Sequence, residues 1–263
     1  MKKLLKSARN KQGFSLVELS IVLVIVGIMM YGATSMFTIT AEKARLDATN
    51  TTLDAIERAL KLHYRTVRDL PCPADGRLAL TDANFGIRQE TVDGTCVQLQ
   101  VDNWSVANID VGVVPTRTLN LPDSYMFDGW GNKITYVIDN DCDITTISWA
   151  TAITGCAATA NITVQDNNVP TQRTANAAYV IISHGKNGVG AWRRNGGATR
   201  IPSVATTSTH EIENAAVNTA GVTTGADTIF RDDFIKDWDG IAAASYFDDI
   251  VRWKVPAQIS YED

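Results

Sequence analysis

The apolar and polar positions of this chain fall into three regimes. Lys2, Lys3, Lys6, Arg9 and Lys11 open it with no acid among them, and Glu18 is the lone carboxylate that follows. From Leu19 to Ala41 there is then no charged side chain, a run long enough for a membrane-spanning helix. From Ala41 to Asp69 there is neither Gly nor Pro, and Leu46, Leu53, Ile56, Leu60, Tyr64 and Val67 recur at helical spacing among charged positions. The pattern predicts one helix from Phe14 to about Asp69, ended by Pro71 and Pro73. At 1.5 Å per residue it would be about 80 Å long. Its first half is expected in the membrane, and its second half to bury the stripe against a soluble head.

Beyond Asp69 the period changes. Ile134, Tyr136 and Ile138 alternate with Thr135 and Val137, which predicts a half-buried strand, and Tyr179–Ile182 forms an apolar strand entering a glycine-rich loop. A last strand is expected over Phe247–Trp253. The stretches Asn140–Asn176 and Ser203–Thr228 are rich in Thr, Ala, Asn and Gly and read as surface insertions. Trp130 is expected in the core, and Asp139, Asp141 and Asp143 in a solvated turn around Cys142. The predicted fold class is α+β: a long N-terminal helix packed on a mainly antiparallel sheet.

Composition narrows the function classes. The formal charge of −5 argues against a general nucleic-acid binder, and Arg193, Arg194 and Arg200 read as a solvated loop. Cys72, Cys96, Cys142 and Cys156 form no Cys-x-x-Cys pair, and an even count in an exported chain reads as disulfides. Of three possible pairings, Cys72–Cys96 and Cys142–Cys156 are favoured because each closes a local loop. No enzyme motif is complete. Ser183 and His184 are neighbours and point to opposite faces of a strand, and Gly185-Lys186-Asn187-Gly188 lacks phosphate-loop spacing.

Lys11-Gln12-Gly13-Phe14-Ser15-Leu16-Val17-Glu18-Leu19 resembles the leader junction of type IV prepilins and type II secretion pseudopilins. The resemblance implies cleavage between Gly13 and Phe14 by prepilin peptidase, N-methylation of Phe14, and a role for Glu18 in assembly against the Phe14 amine of a neighbouring subunit. Loss of the five leader cations would take the charge from −5 to −10. Residues 1–13 are then a leader, 14–40 a transmembrane helix and 41–263 a periplasmic head, with the subunit later in a pseudopilus or pilus. Other pilin or pseudopilin subunits and an inner-membrane assembly platform are the implied partners. A type II secretion role is the alternative, as is a tip subunit holding DNA or a surface through the insertions.

Three head segments extend the resemblance. Asp128-Gly129-Trp130-Gly131-Asn132 looks like the Asp-Pro-Trp-Gly-Asn turn of major pseudopilins, with Gly129 in the proline's place. Ser183-His184-Gly185-Lys186-Asn187-Gly188 and Asp248-Asp249-Ile250 resemble the parts of that family that hold calcium. The implied ligands are Asp248, Asp249 and Asn187, the last standing where the family has Asp. The apolar run also lacks the midway proline of many shaft subunits and has Ser35 there, which points to a specialised or minor subunit.

Overall fold

In the computed structural model the helix α1 spans Leu16–Val67. The described residues are 15–92, 96–97, 109–139, 161–166, 172–202, 208–215, 228–236, 241–242 and 245–260, without the side chains of 31–38 and 260. The chain divides into two compact units, Met1–Ala44 and Arg45–Asp263. In the first unit the apolar side chains of residues 16–30 are exposed, Leu16 and Met29 among them. Among the described residues no helix is long and apolar enough to cross a membrane. The expected span thus rests on the sequence, since side chains 31–38 of the charge-free run lie outside the described residues.

In the second unit the predicted stripe is buried at its centre: Leu53, Ile56 and Leu60 have no exposed surface. Its ends are not. Leu46 is half-buried and Val67 is 43% exposed, while Thr49, polar and outside the stripe, is fully buried. The helix stops short of Pro71. Arg68 takes a left-handed conformation (φ 65°) and its N–H closes on Tyr64 O at 2.7 Å. A left-handed residue just past the last turn is a usual helix exit, and the prolines only prevent resumption.

A four-stranded antiparallel sheet is ordered β1-β2-β5-β7, with β1 Ile109–Val113, β2 Thr135–Asp139, β5 Tyr179–Ser183 and β7 Ile250–Lys254. One face carries Tyr136, Ile138, Tyr179 and Ile181 and packs with Leu53, Ile56 and Leu60. The other carries Val137, Val180, Ile182 and Val251 and packs with Ile162, Val164, Ala177 and Phe230. The latter side chains belong largely to a second sheet, β4-β3-β6, formed by β3 Ile162–Gln165, β4 Gln172–Ala177 and β6 Ile229–Arg231. There β3 pairs antiparallel with β4 and parallel with β6.

Four expectations are corrected here, most of them by this second layer. β2 is buried at all five positions rather than half-buried, because both sheet faces are covered. The stretches read as surface insertions supply strands and a helix, Thr209–Ala215, to the body of the fold. Asp139 is buried, not solvated, and accepts a hydrogen bond from Asn161 N; Asp141 and Asp143 lie outside the described residues. Trp130 is only half-buried, and the buried indole is Trp192, packed with Phe85, Val113, Met126 and Phe127. β7 is an edge strand tied back to α1: Arg252 Nη2 donates to Asn50 Oδ1 at 2.9 Å, and Lys254 Nζ stands 3.6 Å from Glu57.

Candidate functional site

At the N-terminus, Ser15 precedes the first helical residue and Glu18 stands three positions on. Ser15 N–H donates to Glu18 Oε2 at 3.0 Å, and Val17 N–H donates to Ser15 Oγ at 3.3 Å. This is a capping box, which satisfies backbone donors that have no partner inside the helix. Glu18 is therefore occupied within its own chain and exposed. The Ser15-x-x-Glu18 spacing is the sequence signal that would have marked this helix start. Gly13 and Phe14 lie outside the described residues.

The turn at Asp128–Asn132 sits on the helix. Asp128 Oδ1 accepts from Trp130 N and Asn132 N, and its Oδ2 accepts from Ser183 Oγ at 2.8 Å. Gly129 N–H donates to Thr49 Oγ1 at 2.9 Å, and Thr49 donates to Arg45 O. A Cβ on Gly129 would stand 2.3 Å from Arg45 O. Gly129 is thus required by contact with the helix backbone, and a proline there would also lose the donor. Beneath the turn, Lys133 has no exposed surface and donates from Nζ to Gly76 O and Leu78 O at 2.8 and 2.6 Å. Burial pushes its amine down to about 8, against the pull of nearby Asp75.

The second polar centre lies where the glycine-rich loop meets the start of β7. Glu211, Asp248 and Asp249 are all buried, each with a carboxylate oxygen within 4.8 Å of the others'. Glu211 comes from the short helix Thr209–Ala215, whose start Ser208 caps: Glu211 N–H donates to Ser208 Oγ. Asp248 Oδ2 accepts from Asn187 N and Tyr246 OH, while Asp248 Oδ1 is buried without a hydrogen-bond partner. Asp249 Oδ2 accepts from Asn214 Nδ2 at 2.9 Å. Burial first, and the neighbouring acids second, hold Asp249 well above the carboxylate range; Glu211 and Asp248 are raised too, chiefly by burial. His184 is fully buried, which drives it down to about 3. Its Nε2 meets Thr135 Oγ1 at 2.7 Å and its Nδ1 lies 3.9 Å from Asp249 Oδ1.

Asn187 sits beside this trio, but its side-chain oxygen accepts from Val189 N–H and its Nδ2 donates to Glu211 Oε1 at 2.9 Å. Glu211 was missed because nothing in a Thr-, Asn- and Ala-rich stretch marks an acid as buried. The Ser208-x-x-Glu211 spacing, a second capping signal, was its one legible trace. Ser183 and His184 engage different partners, Asp128 and Thr135, and form no nucleophile–base pair. Cys72 and Cys96 are disulfide-bonded. Cys142 and Cys156 lie outside the described residues. The three arginines do not form one patch. Arg200 is buried over Trp192 and donates to Ala215 O, and Arg194 lies over Phe127 at 4.5 Å.

No curated protein and no solved structure matches the chain. Residues 8–34 match the family model of the prokaryotic N-terminal methylation motif, so the chain carries the signature of type IV pilin- and pseudopilin-like prepilins.

Proposed function

We propose that this protein is a specialised subunit of a type IV pilus-like filament or pseudopilus, held as an inner-membrane precursor with its larger unit in the periplasm. Cleavage after Gly13 and methylation at Phe14 convert it to an assembly-competent form. The match over residues 8–34 carries this reading. The charge-free run Leu19–Ala41 and the Cys72–Cys96 disulfide support the membrane and the oxidising compartment. The protein's chemistry in this reading is that of a substrate and a building block, not a catalyst.

The capping box gives Glu18 a defined step in assembly. Its bond to Ser15 N–H is a local cap, of the kind that contributes about 1 kcal/mol. An amine and a carboxylate 4 Å apart attract by about 1 kcal/mol in water and about 4 kcal/mol where the effective dielectric falls to about 20. Exchange of the cap for a neighbour's Phe14 amine is thus favoured only once the pair is desolvated. That keeps the stored subunit unpaired and makes packing the trigger.

The test is mass spectrometry of the mature N-terminus together with filament imaging of Glu18→Ala in the producing cell. The expected result is a methylated Phe14 terminus in the wild type, and a processed variant that stays in the membrane without entering filaments. An intact leader beside an active peptidase, or normal filaments from Glu18→Ala, overturns the reading.

A further inference from the structure

We propose that a cleft between α1 and the C-terminal end of the fold is a docking site for an acidic peptide segment of a partner protein, with Arg58 and Lys61 on its carboxylates and Glu57 on a backbone N–H. The cleft has a volume of about 410 Å³, within the usual range of ligand sites. Asp54, Glu57, Arg58 and Lys61 of α1 form one wall, and their spacing places them on one face of the helix. Lys254 at the end of β7 and Ile259 of the short helix Pro256–Ser260 stand across from them, with Tyr179 of β5 also lining the cleft. All of these residues belong to the unit Arg45–Asp263.

The charges of the cleft are left open. Asp54, Arg58 and Lys61 make no hydrogen bond and no ion pair among the described residues. Glu57 is engaged only loosely. Its Oε1 is buried without a hydrogen-bond partner, and Lys254 Nζ stands 3.6 Å from its Oε2, too far for a hydrogen bond. Only 18% of the Glu57 side chain is exposed, so water compensates it poorly. Elsewhere in the same unit such groups are matched: Arg77 pairs with Asp75, Arg117 with Asp123 and Arg231 with Glu213.

The mixture of signs selects the ligand. Three cations face two carboxylates, a net charge of +1 on an otherwise acidic chain. A phosphate backbone carries no donor and would meet both Asp54 and Glu57, which disfavours a nucleic acid. An acidic peptide brings carboxylates for Arg58 and Lys61 and, at each residue, a backbone N–H for Glu57. Burial first, and the charge on Glu57 second, push the Tyr179 hydroxyl above its ordinary range, so it stays a donor for a peptide carbonyl. Ile259, itself buried, gives the cleft an apolar part for the peptide's aliphatic carbons.

The experiment uses the purified full chain in non-ionic detergent and follows the fluorescence anisotropy of a labelled peptide that alternates Glu and Ala. A peptide with Lys in place of Glu, and a labelled oligodeoxythymidine of similar length, are the comparisons. We expect saturable binding of the Glu peptide alone. Arg58→Ala and Lys61→Ala should each weaken it about tenfold with the melting temperature unchanged, since neither side chain has a partner to lose. Glu57→Gln separates a shaped site from a mere excess of positive charge. It makes the cleft more basic, so a purely electrostatic surface would bind the acidic peptide more tightly, whereas loss of the charged acceptor should weaken binding by about threefold or more. No saturable binding at millimolar peptide, equal binding of the Lys peptide or the oligonucleotide, or tighter binding by Glu57→Gln overturns the proposal. Affinity that survives both Arg58→Ala and Lys61→Ala also overturns it, and assigns the peptide to the leader cations. Residues 261–263 lie outside the described residues and include Glu262 and Asp263. Their removal should leave the affinity unchanged; a clear gain would make that segment the occupant of the cleft and overturn a partner peptide.

Discussion

Gly129→Ala adds one methyl group where none fits. The new Cβ would stand 2.3 Å from Arg45 O and 2.8 Å from Arg45 C and Cα, all backbone atoms of α1 that cannot rotate away. Relief requires the turn to lift from the helix. Overpacking of this kind costs about 1–3 kcal/mol. Lifting also breaks the hydrogen bond from Gly129 N–H to Thr49 Oγ1, at about 0.5–1.5 kcal/mol. Loss of glycine's freedom in the unfolded chain offsets about 0.4–1 kcal/mol. The net expectation is a destabilisation of about 2–3 kcal/mol, which for a unit of this size lowers the melting temperature by about 4–12 °C. Thermal melting of the full chain in detergent, followed by circular dichroism, reads it directly. Thr49→Val keeps the shape and removes only the hydroxyl, with its bonds to Gly129 N–H and Arg45 O, so without the steric clash it should cost less than Gly129→Ala. An alanine variant melting within 1 °C of wild type would refute the claim that glycine is required here by its approach to α1.

Two further predictions follow from buried chemistry. The disulfide spans a sequence separation of 24 residues, for which the loop-entropy relation gives about 3.5 kcal/mol, so Cys72→Ser should lower the unfolding free energy from denaturant titration by that amount under oxidising conditions and by nothing under reduction. Lys133 titrates near 8 in the fold against 10.5 in the unfolded chain, so between those values the unfolded state binds the extra proton. Raising the pH through that window therefore stabilises the fold relative to Lys133→Met. Urea titrations at pH 7.5 and 9.5 should show the difference moving in the wild type's favour; movement the other way, or none, contradicts a cationic lysine strained by burial.

The helix and the central sheet were legible because their information is local. The Gly- and Pro-free stretch with Leu53, Ile56 and Leu60 on one stripe predicts both element and buried face, and these residues are fully buried. Its terminus was misread because proline is a visible signal and the left-handed Arg68 is not. β2 was recognised as a strand, but its full burial depends on β3 and β6, which no alternation announces. The short strands of the second sheet are half-polar, such as Gln172–Ala177, and gain their place from pairing rather than from propensity. In the polar centre, Asp248 and Asp249 stood out as adjacent acids. Glu211 is 37 residues away from Asp248 and reaches it only through the fold.

The position of β7 at the sheet edge has a consequence for how the protein is made. Its partner β5 ends at Ser183, and one of its contacts on α1, Asn50, lies 202 residues before Arg252. Among the described residues the four-stranded sheet therefore stays one strand short until Ile250–Lys254 has been synthesised. Closing contacts of such sequence separation is slow. Until then an unpaired edge of β5 is available to other chains, and the Asp248–Asp249 pair has not arrived. A chain truncated before Asp248 would lack β7 and both aspartates together, so the sheet edge and the buried acidic centre are completed by the same short segment.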